Sequence, residues 1–260
     1  MKNTAGMDQM SSVERRNVLK VLAAGATLAV PGWAFAENSL WMPEDLPLTP
    51  QQTEGPFYPE KTIEQQLFND TDLRRKLKGH EFAKGQQCVV GGVVADRKGR
   101  PIQGAVVEVW QACSSGRYNH SRDAQNPGLL DNNFQFWGRS ITDARGQYEF
   151  KTIIPGKYPG RTARHIHYRV DAEGFKRCST QCYFADFGAD NMRDGIYTGL
   201  NRKEREQVTV EFEKPTNTSG GQDSDAGASR QRSRSGSKNS EVSKQATIWQ
   251  GSFDLILANS

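Results

Sequence analysis

The chain has 260 residues, 25% of them charged, and a formal net charge of +4. That length suits one domain with enough chain to bury a real core. Much of the positive excess sits in one Arg/Lys/Ser-rich stretch near the C-terminus, so it is no nucleic-acid footprint and no nucleic-acid partner is expected.

The N-terminal stretch "ERRNVLKVLAAGATLAVPGWAFAE" pairs Arg15 with Arg16. An apolar run from Val18 to Val30 follows, broken by Lys20, Gly25 and Thr27, and then Ala34-Phe35-Ala36 as a small-x-small cleavage site. This three-part pattern reads residues 1–36 as a twin-arginine-type signal peptide and predicts export to the periplasm. The apolar run is short of the roughly 20 residues a membrane span needs, so no stable insertion is expected after cleavage.

Residues 37–85 read as an N-terminal arm with short helices. Glu37 to Pro50 looks extended. "TEGPFYPE", Thr53 to Glu60, is turn-rich, with two prolines and a glycine. Lys61 to Lys78 is predicted to form the short helices.

From residue 86 the pattern turns β. "CVVGGVVAD" and "AVVEVWQA" are apolar, β-branched runs joined by the Gly/Pro turn "RKGRPIQG". "SITDARGQYEFKTI", "HIHYRVDA", "TQCYF" and "EQVTVEFE" add strands, and "IWQGSFDLIL" closes the series. The spacing predicts an all-β fold over residues 86–258, a β-sandwich core with long loops and short peripheral helices. Residues 216–245 interrupt it. They contain no aromatic residue and, alanine aside, one aliphatic, Val242. Such a stretch cannot offset its ordering entropy by burial, and it reads as a disordered insertion. A basic binding arm is the other reading of its charge pattern.

Four cysteines are present, Cys88, Cys113, Cys178 and Cys182. In an exported protein they either pair or stay as small buried thiols, and the sequence leaves both open. None has CxxC metal spacing.

"ARHIHYRV" carries His165 and His167, which fall on one face of a strand. A cupin-type reading with Glu173 fails on spacing. Two tyrosines lie in turn-rich loops instead of strands: Tyr118 in "GRYNH" and Tyr158 in "PGKYPGR". A buried tyrosine hydroxyl needs a partner, and each tyrosine alone is more simply structural. Together, Tyr118, Tyr158, His165 and His167 suit a hard trivalent cation. Two phenolates and a hydroxide neutralise Fe(III), and two imidazoles complete its coordination.

In the stretches "TEGPFYP", "GVVADRKGRPIQGAVVEVWQACSSGRYNH", "GRSITDARGQYEFKTIIPGKYPGRTARHIHYRV", "TQCYF" and "WQGSFDLIL", the chain resembles the intradiol ring-cleavage dioxygenases of the protocatechuate 3,4-dioxygenase type. The resemblance implies a non-haem Fe(III) enzyme that uses O2 to open a catechol-type small aromatic diol between its two hydroxylated carbons, giving a cis,cis-muconate-type product. It makes Tyr118 and His165 the equatorial ligands and Tyr158 and His167 the axial ones, with Tyr158 giving way to substrate. It implies an arginine beside the His pair, Arg161 in preference to Arg164, and a glutamine near the iron, Gln181. Thr53 and Tyr58 are expected either to line the substrate mouth or to pack the arm. Family members often associate, so a homo-oligomer is an expectation without an identified interface. The glycine-rich "GVVADRKGRPIQGAVVEVW" block also occurs in non-catalytic transthyretin-like sandwiches, so the alternative is an exported binding module.

Overall fold

A computed structural model describes residues 45–60, 62, 66–77, 80–215 and 248–260. The signal reading at 1–36, the start of the arm and the 216–245 insertion lie outside these residues, as do 61, 63–65 and 78 of the predicted short-helix segment. Among the described residues of that segment, Gln66 and Leu67 are helical, with the Gln66 N–H donating to the Thr62 carbonyl at 3.0 Å, whereas 70–77 form turns, bends and an Asp72–Lys151 bridge.

Two sheets face one another. The first is built on β1 (Gln87–Asp96), which pairs antiparallel with β4 (Gln147–Ile153) and parallel with β8 (Trp249–Ser252) and β9 (Leu255–Leu257). The second runs β3-β2-β5-β6-β7, from β3 (Trp137–Ile141) and β2 (Val106–Trp110) through β5 (His165–Asp171) and β6 (Cys178–Phe184) to β7 (Thr209–Val210). The expected all-β sandwich is the observed fold.

Sequence alternation explains the layering. In β4, Tyr148, Phe150 and Thr152 are buried while Gln147, Glu149 and Lys151 are exposed, the period-2 signature of a one-sided strand. In β5, Ile166, Tyr168 and Val170 fill the space between the sheets. Tyr168 meets Phe253 at 5.0 Å and Tyr148 at 6.1 Å between ring centroids. Each such aromatic removes enough apolar area from water to stabilise the fold by about 1.5–3 kcal/mol. Gly92 is required where the β8–β9 connection crosses β1, because a Cβ there would lie 2.1 Å from the Phe253 carbonyl oxygen.

The predicted strand "EQVTVEFE" is corrected. Its first three residues, Glu206 to Val208, belong to a helix, α3 (Arg202–Val208), which follows two single-turn helices, α1 (Gly188–Asn191) and α2 (Gly195–Thr198). Asn201 accepts from the Glu204 N–H and the Glu204 side chain accepts from the Asn201 N–H, a capping box that starts the helix. Val208, Val210 and Phe212 do all point inward, so the alternation is real, but Thr209 and Val210 alone pair with β6. All four cysteines are buried, and none of them is joined in a disulfide. Among the described residues, no helix is long and apolar enough to cross a membrane.

Candidate metal centre

The alternation that sends Ile166, Tyr168 and Val170 into the core turns His165 and His167 to the opposite face of the sheet. Both histidines are still buried, because the arm and two loops cover that face. Cross-strand pairing selects their neighbours. Trp110 of β2 and Gln181 of β6 flank His167 in register. The Trp110 indole lies flat on His167, with centroids 4.9 Å apart and planes 4° apart.

Two glycines bring the tyrosine loops together. Gly116 sits at φ +84°, and a Cβ there would come within 1.8 Å of the Lys157 carbonyl oxygen. A Cβ on Gly156 would meet the Gly116 nitrogen at 2.3 Å. With no side chain at either position, the segment 113–118 presses against 155–158, tied by the Gly156 N–H donating to the Cys113 carbonyl at 2.9 Å. Tyr118 and Tyr158 then meet with ring centroids 5.3 Å apart. The Asp123 carboxylate accepts from the Tyr118 N–H at 2.6 Å and fixes that loop.

All four predicted ligands therefore converge. Tyr158 Oη is 3.2 Å from His165 Nε2, and the two imidazole centroids are 4.8 Å apart. His165 Nδ1 donates to the Ala163 carbonyl at 2.8 Å, the tautomer that leaves Nε2 with its lone pair facing the cluster. Tyr118 Oη is buried and faces Tyr158 without a well-formed hydrogen bond, and His167 Nδ1 is buried without a partner. Burial lowers the His165 pKa to about 3, helped by the nearby Arg161 charge, and burial pushes His167 well below its usual value. Both imidazoles are neutral. Burial raises both phenols, Tyr118 far above the ordinary tyrosine value.

Arg161 joins the cluster and Arg164 does not. Arg161 Nη1 lies 3.2 Å from His165 Nε2, its Nη2 donates to Gln181 Oε1 at 2.9 Å, and its Nε donates to Asp194 Oδ2 at 2.8 Å. Arg164 turns away, donating to the Pro155 carbonyl and lying over the Phe187 ring at 4.6 Å. Gln181 Nε2 donates to the Thr53 carbonyl, so Thr53 meets the centre through its backbone while its hydroxyl accepts from the Gly55 N–H. Tyr58 packs: its hydroxyl donates to Glu108 and its ring sits under the Arg169 guanidinium at 4.2 Å.

The dioxygenase family model, Dioxygenase_C, matches residues 53–210, a span that holds every one of these side chains. The chain belongs to the intradiol ring-cleavage dioxygenase family. It is 36% identical over 160 residues to the protocatechuate 3,4-dioxygenase beta chain of Burkholderia cepacia, covering 58% of this chain and 66% of that one. It is 32% identical over 148 residues to catechol 1,2-dioxygenase of Candida albicans, covering 50% and 45%. The matches thus span from under half to about two thirds of these curated relatives. Among solved structures, the dioxygenase domain of a dioxygenase carbohydrate-binding protein fusion from Streptomyces sp. SirexAA-E superposes with a TM-score of 0.53 at 25% identity, covering 82% of this chain and all of that domain. An intradiol ring-cleavage dioxygenase from Tetranychus urticae shares the fold at 21% identity, with a TM-score of 0.54 over 82% of this chain and 97% of its own.

Intradiol dioxygenases use non-haem iron, and the donors here fit a ferric ion. Among the described residues no three His, Cys, Asp or Glu side chains cluster. The two imidazoles are completed by phenols instead. A buried phenol with its pKa driven up ionises only beside a strong positive charge, and a poorly satisfied Tyr118 Oη is placed to meet one.

Three residues of this site are not marked as such by the sequence. Phe57, inside "TEGPFYP" between the two arm residues singled out, stacks on Tyr118 at 4.6 Å and meets Tyr158 edge-on at 5.7 Å. Trp110 reads in sequence as a plain strand residue. Asp194 lies far along the chain, and its one signal was its place as helix cap before "GIYT". Burial would raise the Asp194 carboxyl, but Arg161 and the N–H donors around it outweigh this and hold it below the usual carboxylate range.

Proposed function

We propose that the chain is a non-haem Fe(III) intradiol dioxygenase that opens a catechol-type ring between its two hydroxylated carbons with O2, giving a cis,cis-muconate-type diacid. The observation that carries this reading is the convergence of two phenols and two neutral imidazoles in one buried site of an intradiol-family chain. Tyr118, Tyr158, His165 and His167 would hold the metal. A bound ferric ion would bring catechol and O2 chemistry together as a Lewis acid and electron acceptor.

The side chains have distinct tasks. His165 and His167 offer lone pairs without having to lose a proton first, since both are neutral. Tyr158 is the less buried phenol, in a loop between Pro155 and Pro159, and its Oη is placed to take a proton from an incoming diol. Arg161 Nη1 points to the same space and stabilises negative charge developing on the ring. Phe57 and Trp110 wall the centre with apolar surface and exclude water. An open depression of about 520 Å³ adjoins Tyr158 and Arg161 and supplies the approach.

The test is metal content, visible spectrum and O2 uptake with a panel of catechols. Iron, a red-brown tyrosinate band and one O2 consumed per catechol are expected. A protein that stays colourless and takes up no O2 after iron reconstitution overturns the reading. Export through the twin-arginine signal belongs to the same proposal. Arg15→Lys with Arg16→Lys should leave the precursor unprocessed, and normal processing would refute that route.

A further inference from the structure

Arg161 carries three kinds of donor, and each has a different partner. Nε is held by Asp194, Nη2 by Gln181, and Nη1 is left facing His165 Nε2 and the substrate space. Nη2 also donates to the Tyr183 hydroxyl at 3.4 Å, and of these anchors Asp194 is the strongest. Its carboxylate is fully buried and forms an ion pair with Arg161, and an ion-paired hydrogen bond is about twice as strong as a neutral one. Asp194 is itself held rigidly. Oδ2 also accepts from the Ala163 N–H at 3.2 Å, and Oδ1 accepts from the Ile196 and Tyr197 N–H groups at 3.1 and 3.3 Å. One carboxylate therefore ties the start of α2 to the backbone two residues before His165.

The surrounding contacts repeat that geometry. Thr162 Oγ1 donates to the Asp190 carbonyl, and Lys157 Nζ lies 3.2 Å from Asp190 Oδ2. The segment 188–198 is thus a strap across the loop that bears Tyr158 and Arg161. Asp194 is the point where the strap grips a side chain of the site.

We propose that Asp194 is the positioning residue for Arg161: it sets the guanidinium so that Nη1 is presented to the substrate ring. The inference rests on the dioxygenase reading above. Asp194 touches no substrate and reaches the ring through the Arg161 guanidinium. Without it the guanidinium keeps its charge and its Gln181 and Tyr183 contacts, all made through Nη2, and is free to pivot about that nitrogen. A misplacement of about 1 Å in such a group costs on the order of 100-fold in rate.

Asp194→Asn separates this role from helix capping, because asparagine caps as well as aspartate but carries no charge. The expected result in the iron-loaded protein is a kcat lowered roughly 10- to 100-fold, a KM for catechol changed little, and an unaltered visible band of the resting protein. Anaerobic titration with catechol, followed by the shift of that band, should give an unchanged affinity. Asp194→Glu should recover part of kcat. In an Arg161→Gln background, Asp194→Asn should cost kcat nothing further, because the guanidinium it places has gone. Wild-type kcat in Asp194→Asn overturns the inference, and so does a loss of the same factor in both backgrounds. If the unaltered protein consumes no O2 with any catechol, the dioxygenase reading fails and this inference with it.

Discussion

Trp110 and His167 lie face to face, 4.9 Å apart and within 4° of parallel, on adjacent strands paired in register. The imidazole plane is thereby set by the sheet. A free imidazole rotates about two bonds, and one pinned between Trp110 and the neighbouring strand presents its nitrogen in one direction.

Trp110→Ala should therefore lower iron affinity by about 10- to 100-fold, the usual cost of losing a residue that orients a metal ligand. It should also destabilise the fold by about 3–5 kcal/mol, since Trp110 is fully buried. Trp110→Phe keeps a stacking ring and should retain most of the iron. Competition with a chelator, followed by iron per chain, measures both. Equal iron retention in Trp110→Ala and wild type would count against the orienting role.

The two tyrosines should respond differently. Tyr118 is deeply buried with its backbone held by Asp123, whereas Tyr158 sits on a loop at the edge of the depression. Tyr118→Phe should lose most of the bound iron. Tyr158→Phe should keep iron but slow catechol binding by about 10²- to 10⁴-fold, the range for a lost general base. Stopped-flow mixing under nitrogen reads the binding rate. The same rate with and without the Tyr158 hydroxyl would remove its assigned task.

Gly116→Ala tests how the loops meet. The new methyl would press on the Lys157 carbonyl, and φ +84° adds about 1–2 kcal/mol of left-handed strain. At roughly 2–4 °C per kcal/mol, Tm should fall by several degrees, and bound iron should fall with it as Tyr118 and Tyr158 separate. Gly160→Ala is the control. It has a similar φ of +84° but open space around it, so it should lower Tm through strain alone and leave iron unchanged. Identical iron loss in both variants would refute the contact argument.

Charge at the mouth predicts substrate preference. The two cations lining the depression are both engaged, Lys157 with Asp190 and Arg161 with Asp194. A ring carboxylate there would have to compete with the carboxylates that already neutralise both lining cations. Catechol should be preferred over protocatechuate by roughly tenfold or more in kcat/KM, the equivalent of about 1.4 kcal/mol. An oxygen electrode gives the ratio, and a preference for protocatechuate would show that one of these ion pairs opens to receive it.

The strands and the donor set were legible in the sequence because each rests on local rules. Period-2 alternation in "QYEFKTI" and "HIHYRVD" marks strands whatever packs on them, and a His-x-His on a strand shares a face by geometry alone. The same alternation misled at "EQVTVEFE", where Val208 points inward from the end of a helix and the capping box at Asn201 outweighs the strand pattern. Tyr118 and Tyr158 stood out because glycines and prolines flanked them. What tertiary structure alone decided was which partners reach the centre from far along the chain. The choice between Arg161 and Arg164 was not settled by spacing, since the two bracket Thr162 and Ala163 just ahead of the His pair and differ in where their side chains turn. It was made by Asp194, 33 residues away, which holds Arg161 inward, while Phe187 and the Pro155 carbonyl hold Arg164 outward. Phe57 and Trp110 likewise carry no local mark. Their roles exist only once β2, β5 and the arm are stacked, because a ring contact is a property of two surfaces brought together by the fold.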